Sequence, residues 1–117
     1  MAYMLLVVEK TGDRAARTEI EGRALYDRMV RFSEALKQRG LLTLSQSLKT
    51  DAAGVRITTR GEQAIVRDGP FAEAKEMIGG FFLLSCDTRQ QAVEIARECP
   101  AAQWATIEVR ELGPCFS

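Results

Sequence analysis

Two charged residues, Asp68 and Lys75, form the candidate catalytic pair of this 117-residue chain. A lysine ammonium can bind or polarise an anionic substrate, and a partly desolvated carboxylate can act as a general base. If both side chains line a pocket beside a β-sheet, Asp68 takes a proton and Lys75 stabilises the charge that develops. The pair therefore predicts proton transfer on a small carbonyl compound or an aromatic acid.

The segment that joins the two charges can also be a simple connector. Asp68 can accept backbone N–H bonds across a turn, Gly69 permits unusual dihedral angles, and Pro70 fixes its own φ. Phe71 would then point into the core or toward a partner, and Lys75 would make a local ion pair. Turn chemistry accounts for every residue of the segment except Lys75, so both interpretations stay open.

Five more residues are candidate ligand contacts, because they belong to this motif or are polar residues expected near it. They are Ser47, Arg60, Gly69, Pro70 and Phe71. The alternative for Ser47 is a solvated residue on the polar side of a strand. The alternative for Arg60 is a solvated residue of a turn.

Composition excludes several classes of site. The chain has no histidine, which rules out histidine-containing zinc sites, Ser-His and Cys-His nucleophilic pairs and haem histidines. Its three cysteines include no closely spaced ligand pair, so we predict no metal and no cofactor. Sixteen basic and sixteen acidic residues cancel, which argues against direct binding to nucleic acid or to an anionic membrane.

The cysteines and the N-terminal residues indicate a cellular compartment. An odd number of cysteines without an export signal favours a reducing cytoplasm, where Cys86, Cys99 and Cys115 remain thiols. The apolar run at residues 4–8 is much shorter than a membrane span. We therefore expect a cytoplasmic protein.

Hydrophobic periodicity and turn signals divide the chain into the order β-α-β-β-β-β-α-β. The predicted strands are residues 3–9, 41–48, 55–59, 64–66, 81–86 and 104–112, and the predicted helices are 22–39 and 89–98. Thr18 and Glu21 have the spacing of a capping box before the first helix, and Gly40 supplies its left-handed end. Residues 72–77 are predicted to form one helical turn before Gly79-Gly80, which allow a close approach of neighbouring chain.

This order predicts a single domain over residues 1–117, of the α+β class. Both crossover helices lie on one face of a ferredoxin-like sheet, and the β-hairpin is an insertion. Strands 3–9 and 81–86 are apolar on both faces, so the second face needs a cover from outside the monomer. A homodimer with face-to-face sheets provides that cover.

The nine residues from Asp68 to Glu76, followed by Gly79-Gly80-Phe81, resemble the signature of the DGPF branch of the YCII-related proteins. The similarity continues at residues 1–6, 99–102 and 107–110. It implies a dimeric α/β-barrel of ferredoxin-like subunits. The wider superfamily is thought to use a His-Asp pair, which this chain lacks. The branch is also linked to extracytoplasmic-function sigma factors, which implies a transcription-related protein partner.

Three functions from different classes are compatible with these features. The first is a dimeric binding or regulatory domain whose cleft beside the sheet holds a small molecule, or whose surface contacts the transcription partner. The second is a small-molecule enzyme, lyase-like or isomerase-like, with Asp68 as base and Lys75 as electrostatic stabiliser. The third is a dimerisation unit without a ligand. Because proton transfer without histidine requires a strongly shifted pKa, binding is favoured.

Overall fold

The structure, a computed structural model, describes residues 2–116. Its strands are β1 (Tyr3–Lys10), β2 (Leu42–Ser47), β3 (Val55–Arg60), β4 (Gln63–Asp68), β5 (Glu76–Leu84) and β6 (Thr106–Glu111), and its helices are α1 (Glu19–Gln38) and α2 (Arg89–Glu98). Short 3-10 turns occupy Asp51–Ala53 and Pro100–Gln103. The predicted order of strands and helices is confirmed.

Four strands form one antiparallel sheet in the order β2-β5-β1-β6, and β3 pairs with β4 in a separate hairpin. β1 and β2 both run antiparallel to β5, and β5 and β6 both run antiparallel to β1. Each helix therefore crosses between two strands that are parallel to each other and separated by one strand. The α+β class and the ferredoxin-like arrangement follow from this topology.

Local sequence signals set the ends of the helices. The Thr18 hydroxyl accepts a hydrogen bond from the Glu21 backbone N–H at 3.1 Å, and the Glu21 carboxylate accepts one from the Thr18 N–H at 3.0 Å. Gly40 follows α1 with φ +72°. At the start of α2 the Thr88 hydroxyl accepts from the Gln91 N–H at 3.1 Å. The signals predicted at Thr18, Glu21 and Gly40 are confirmed. Both threonine caps satisfy amides that a helix start leaves unpaired.

The core lies between the sheet and the helices. Tyr3, Leu5 and Val7 alternate along β1 and are buried on this side. They belong to one apolar cluster with Leu36 of α1 and Ile95 of α2. Since both helices contribute to the same cluster, they lie on the same face of the sheet, as predicted.

The opposite face of the sheet is apolar and open. Met4 and Leu6 are half-buried there, and Leu6 is paired with Phe81 of β5. Leu44 and Ile78 are each 47% exposed on this face. Both helices of the described chain cover the other face, and Ile78 borders a cavity that it shares with Arg56 and Phe71.

One predicted local structure is wrong. Residues 72–77 do not form a helical turn, because β5 begins at Glu76, which is paired with Lys10 of β1. Gly79 and Gly80 consequently lie inside this strand rather than before it. Pairing with β1 on one side and β2 on the other outweighs the weak strand propensity of glycine.

Candidate functional site

A cavity of about 690 Å³ lies between α1 and the sheet. Residues of β1, β2 and β5 form one wall, α1 forms the other, and Arg14, Arg17 and Trp104 complete the boundary. We call this cavity the helix–sheet cleft. Its volume is within the range of about 300–1,000 Å³ that small-molecule sites occupy.

The cleft exists because α1 packs unevenly on the sheet. Leu36, near the end of the helix, is 1% exposed, and the Phe32 ring meets the Phe82 ring edge-on at a centroid distance of 5.4 Å. Nearer the start of the helix, Tyr26 is 57% exposed and Ile20 is 82% exposed. Phe32 and Leu36 therefore close the core, whereas a neighbouring side of α1, from Gly22 to Lys37, borders the cleft.

A buried ion pair lies on the cleft wall. Glu9 continues the buried side of β1 and is itself buried. Arg14 binds it with two nitrogens, Nε to Oε1 at 2.6 Å and Nη2 to Oε2 at 3.1 Å. Arg14 also donates to the carbonyl oxygens of Leu48 at 2.7 Å and Gly79 at 3.2 Å. A buried carboxylate is costly without such a partner, so Arg14 fixes both Glu9 and the loop before α1.

Two glycines of β5 make room for this arrangement. A Cβ at Gly79 would overlap Oε2 of Glu9, and a Cβ at Gly80 would lie 2.9 Å from the carbonyl oxygen of Gln46 in β2. The predicted close approach at this glycine pair is confirmed. Gly79 accommodates the ion pair, and Gly80 accommodates the neighbouring strand.

Hydroxyl groups add hydrogen-bonding capacity to the cleft. The Ser33 and Ser45 hydroxyl oxygens lie 3.4 Å apart across the space between α1 and β2. Ser47, predicted as a ligand contact, also lines the cleft. These groups can bind hydroxyl or carbonyl oxygens of a ligand, because each serine hydroxyl both donates and accepts.

The other predicted site residues lie elsewhere. Asp68 and Lys75 are both exposed, and neither lines the helix–sheet cleft. Arg60 is exposed at the tip of the hairpin. The backbone of Lys75 has a structural contact, since its carbonyl oxygen accepts from the Thr11 N–H at 3.0 Å. The structure thus does not bring Asp68 and Lys75 into one pocket with Ser47, and their catalytic role stays a prediction.

Gly69, Pro70 and Phe71 form a compact turn at the base of the hairpin. Phe71 is 5% exposed, and its backbone N–H donates to the Asp51 carboxylate at 3.2 Å. A Cβ at Gly69 would overlap the carbonyl oxygen of Asp51. Close approach thus explains this glycine, whose φ is not positive. The carboxylate that accepts a backbone amide in this turn is Asp51, whereas Asp68 was predicted.

Arginines cover the buried ring of this turn. The guanidinium groups of Arg56 and Arg67 lie 3.9 Å and 5.3 Å from the centroid of the Phe71 ring. Both arginines also pair with Glu73. The pKa of Glu73 is lowered by a hydrogen bond from its own backbone and by the bond from Arg67.

A second cavity, of about 380 Å³, borders Phe71, Arg56 and Asp51. This cluster is a cation–π and ion-pair cover over a buried ring.

The Glu9–Arg14 pair was missed in the sequence. The sequence predicted that strand 3–9 is apolar on both faces, which left no place for a buried charge. The available signal is the parity of Glu9, which shares the buried side with Tyr3, Leu5 and Val7. A carboxylate at such a position requires a nearby cation, and Arg14 follows within the next loop.

Several other features bear on the class of protein. Cys86, Cys99 and Cys115 are free, and burial raises the pKa of the Cys86 and Cys99 thiols. No group of three or more metal-ligating side chains is found among residues 2–116. Within the same described residues, neither helix has the length and apolar character needed to span a membrane.

Comparison with known proteins places the chain in a family. The sequence profile of the YCII-related domain matches residues 1–115. An uncharacterised protein of Rhizobium meliloti is 39% identical over 72 residues, which cover 60% of this chain. The matched region spans 57% of the length of that relative.

Proposed function

The chain belongs to the YCII-related domain family, and within this family we propose that it binds a small molecule in the helix–sheet cleft. The observation that carries the proposal is the cavity of about 690 Å³ between α1 and the sheet. A domain of this size normally fills such space with side chains, because interiors are close-packed. The cleft instead combines an apolar helix face with serine hydroxyls and a fixed ion pair.

Binding is favoured over proton transfer because Glu9, the buried carboxylate of the cleft, is paired with Arg14. Both oxygens of Glu9 accept hydrogen bonds from Arg14, so this carboxylate is held in an ion pair. The exposed Asp68 and Lys75 lie outside the cleft. If Glu9 acted as the base of an enzyme, it would therefore have to leave its ion pair with Arg14 before it accepted a proton from the substrate.

The proposal is tested by blocking the cleft without disturbing the fold. Gly22 of α1 lines the cleft, and a Cβ built there meets no atom within 4 Å. Gly22→Leu should therefore occupy the cavity and also raise helix propensity. A thermal-shift screen of chemically diverse fragments should give hits with the natural chain, because a ligand of the native state raises the melting temperature. Those hits should be lost in Gly22→Leu.

Ala24→Leu is the matched control, since it adds an apolar side chain at an exposed position of α1 outside the cleft. This variant should keep every hit. Hits that survive in Gly22→Leu lie elsewhere on the protein and contradict the proposed site. A screen without hits for the natural chain contradicts small-molecule binding and leaves the dimerisation unit as the better function.

We also propose that two chains pair through the open apolar face of the sheet. The subunit is flat, with principal extents of 46 × 42 × 18 Å, so this face is wide enough for the roughly 800 Å² per partner of a stable interface. Ile78→Lys, on the open face and outside the helix–sheet cleft, should then give a monomer in light scattering at micromolar concentration. Ile20→Lys, at an exposed apolar residue of α1, should remain dimeric. A monomeric natural chain would exclude this assembly.

Two finer assignments accompany this proposal. The buried Phe71 and the close approach at Gly69 give structural roles to the Asp-Gly-Pro-Phe motif, which supports membership of the DGPF branch. Three free cysteines support a reducing cytoplasm as the location. The association with sigma factors stays a prediction from the resemblance.

A further inference from the structure

We infer that the ligand of the helix–sheet cleft is an amphipathic carboxylate, with its anionic group on Arg17 and its apolar body against Leu25 and Met29 of α1. This inference rests on the proposed function and adds the chemical class and the orientation of the ligand. It follows from the charges and the apolar surfaces that remain available on the cleft wall.

The charged residues of the cleft differ in whether their charges and hydrogen-bond donors are already used within the protein. Five of them line it: Glu9, Arg14, Arg17, Glu34 and Lys37. Glu9 and Arg14 neutralise each other, and four of the five N–H donors of Arg14 are already used. The cleft is therefore left with two cations and one carboxylate, which favours an anionic ligand over a neutral or cationic one.

The neighbouring charges, the burial and the shape of Lys37 and Arg17 decide which of them binds the anionic group of the ligand. Lys37 is one helical turn from Glu34, whose carboxylate lines the same cleft and offsets the lysine charge. No carboxylate of the described residues lies within salt-bridge distance of either cation, and Arg17 has Glu21 as a more distant electrostatic neighbour. Arg17 differs from Lys37 in being half-buried, whereas Lys37 is exposed. A planar guanidinium can bind both oxygens of a carboxylate, so Arg17 is the better anchor.

The same cleft also has an apolar surface on α1. Leu25 and Met29 lie one turn apart on α1, about 6 Å along the helix axis. Both line the cleft, and Phe82 faces them from β5. An aromatic ring or an aliphatic chain attached to the carboxylate would cover this apolar surface and remove it from water.

The test uses matched pairs of probes that differ only in charge: phenylpropanoate and phenylpropanamide, indole acetate and indole acetamide, and octanoate and octanamide. Dissociation constants are measured by isothermal titration calorimetry on the full chain. At least one carboxylate should bind about tenfold more tightly than its amide, which corresponds to one charge-assisted contact. In Arg17→Gln this ratio should fall to about one, whereas Arg17→Lys should retain part of it.

Arg31→Gln is the control, because Arg31 is an exposed cation of α1 outside the cleft and its removal should leave the ratio unchanged. Amides that bind as well as carboxylates overturn the ligand class, and so does a ratio that survives in Arg17→Gln. Lack of binding by every carboxylate also overturns it. The fragment screen with Gly22→Leu reports on the cleft independently, so a neutral or cationic hit there would preserve the proposed function while this inference fails.

Discussion

The two helices cover the same face of one sheet, but they pack on it differently. α2 has ten residues and buries Ala92, Ile95 and Ala96. α1 has twenty residues, and Leu36 is its buried residue. Two alanines let α2 approach the sheet closely, whereas α1 contacts it mainly through larger side chains of its C-terminal half. The shorter helix therefore contributes to the core along its length. The longer one contributes to the core near its C-terminal end and borders the cleft along one side, from Gly22 to Lys37.

This difference does not arise from the way the helices begin. Both start with a threonine whose hydroxyl accepts from the backbone N–H three residues later, at Glu21 in α1 and at Gln91 in α2. Helix stability in proteins comes mostly from tertiary packing rather than from local signals. The cleft therefore depends on which side chains follow the cap, and on the Glu9–Arg14 pair that holds the loop before α1.

The largest expected effect comes from truncating a buried residue of α2. Ile95→Ala should lower the free energy of unfolding by about 2–5 kcal/mol, because Ile95 is 1% exposed in the core. Leu25→Ala on the cleft side of α1 should cost less than about 1 kcal/mol. Urea denaturation of both variants measures the difference. Equal losses would mean that the N-terminal half of α1 closes onto the sheet in solution.

Removal of the Glu9–Arg14 ion pair, which holds the loop before α1, should have the next largest effect on stability. Arg14→Met leaves the Glu9 carboxylate buried without its partner and should cost about 2–3 kcal/mol, below the range of fully buried pairs because the Arg14 side chain is 30% exposed. The double variant with Glu9→Gln should recover much of this loss. The control is Arg23→Met, whose pair with Glu19 is more than three-quarters exposed and should matter by less than about 0.5 kcal/mol. A similar loss in both arginine variants would contradict a special role for the Glu9–Arg14 pair.

The fold was accessible from the sequence because its signals are local and repeated. Leu25, Met29, Phe32 and Leu36 recur at the spacing of one side of a helix, and Gly40 marks the end of α1. The predicted strand 81–86 begins five residues later than β5, which starts at Glu76. Glycines inside a strand resemble a loop until the neighbouring strands that pair with them are known.

The candidate site was less accessible, because it depends on how far α1 stands from the sheet. No pattern in the chain specifies that distance. Asp68 and Lys75 belong to a distinctive motif, yet both are exposed. Of the seven predicted site residues, Ser47 lies in the cleft. Glu9 was recoverable from strand parity, whereas Arg17 has no local signal that separates it from the other arginines of the loop.

Two glycines near the ends of α1 should respond in opposite directions to the same substitution. Gly22→Ala should raise the free energy of unfolding by up to about 1 kcal/mol, because a Cβ there meets nothing within 4 Å and helix propensity improves. Gly40→Ala should lower it by about 1 kcal/mol, since φ is +72° there. Thermal and urea unfolding measure both. No gain in Gly22→Ala would show that the start of α1 is frayed in the native state.

The smallest effect distinguishes the two helix starts by pH. Hydrogen bonding from the Thr18 backbone, together with its hydroxyl, lowers the pKa of the Glu21 carboxyl. A carboxyl with a lowered pKa stabilises the folded form above the ordinary glutamate value of about 4.3, and this contribution is lost as the pH falls through the lowered pKa. Acidification below pH 4 should therefore fray the first turn of α1, seen as Cα chemical shifts of residues 19–22 moving toward random-coil values. In α2 the corresponding residue is Gln91, which does not titrate, so the shifts of residues 89–92 should stay constant over the same range. Parallel fraying of both helices would assign the effect to general acid unfolding rather than to the Glu21 cap, and Glu21→Gln should remove the pH dependence from α1 alone.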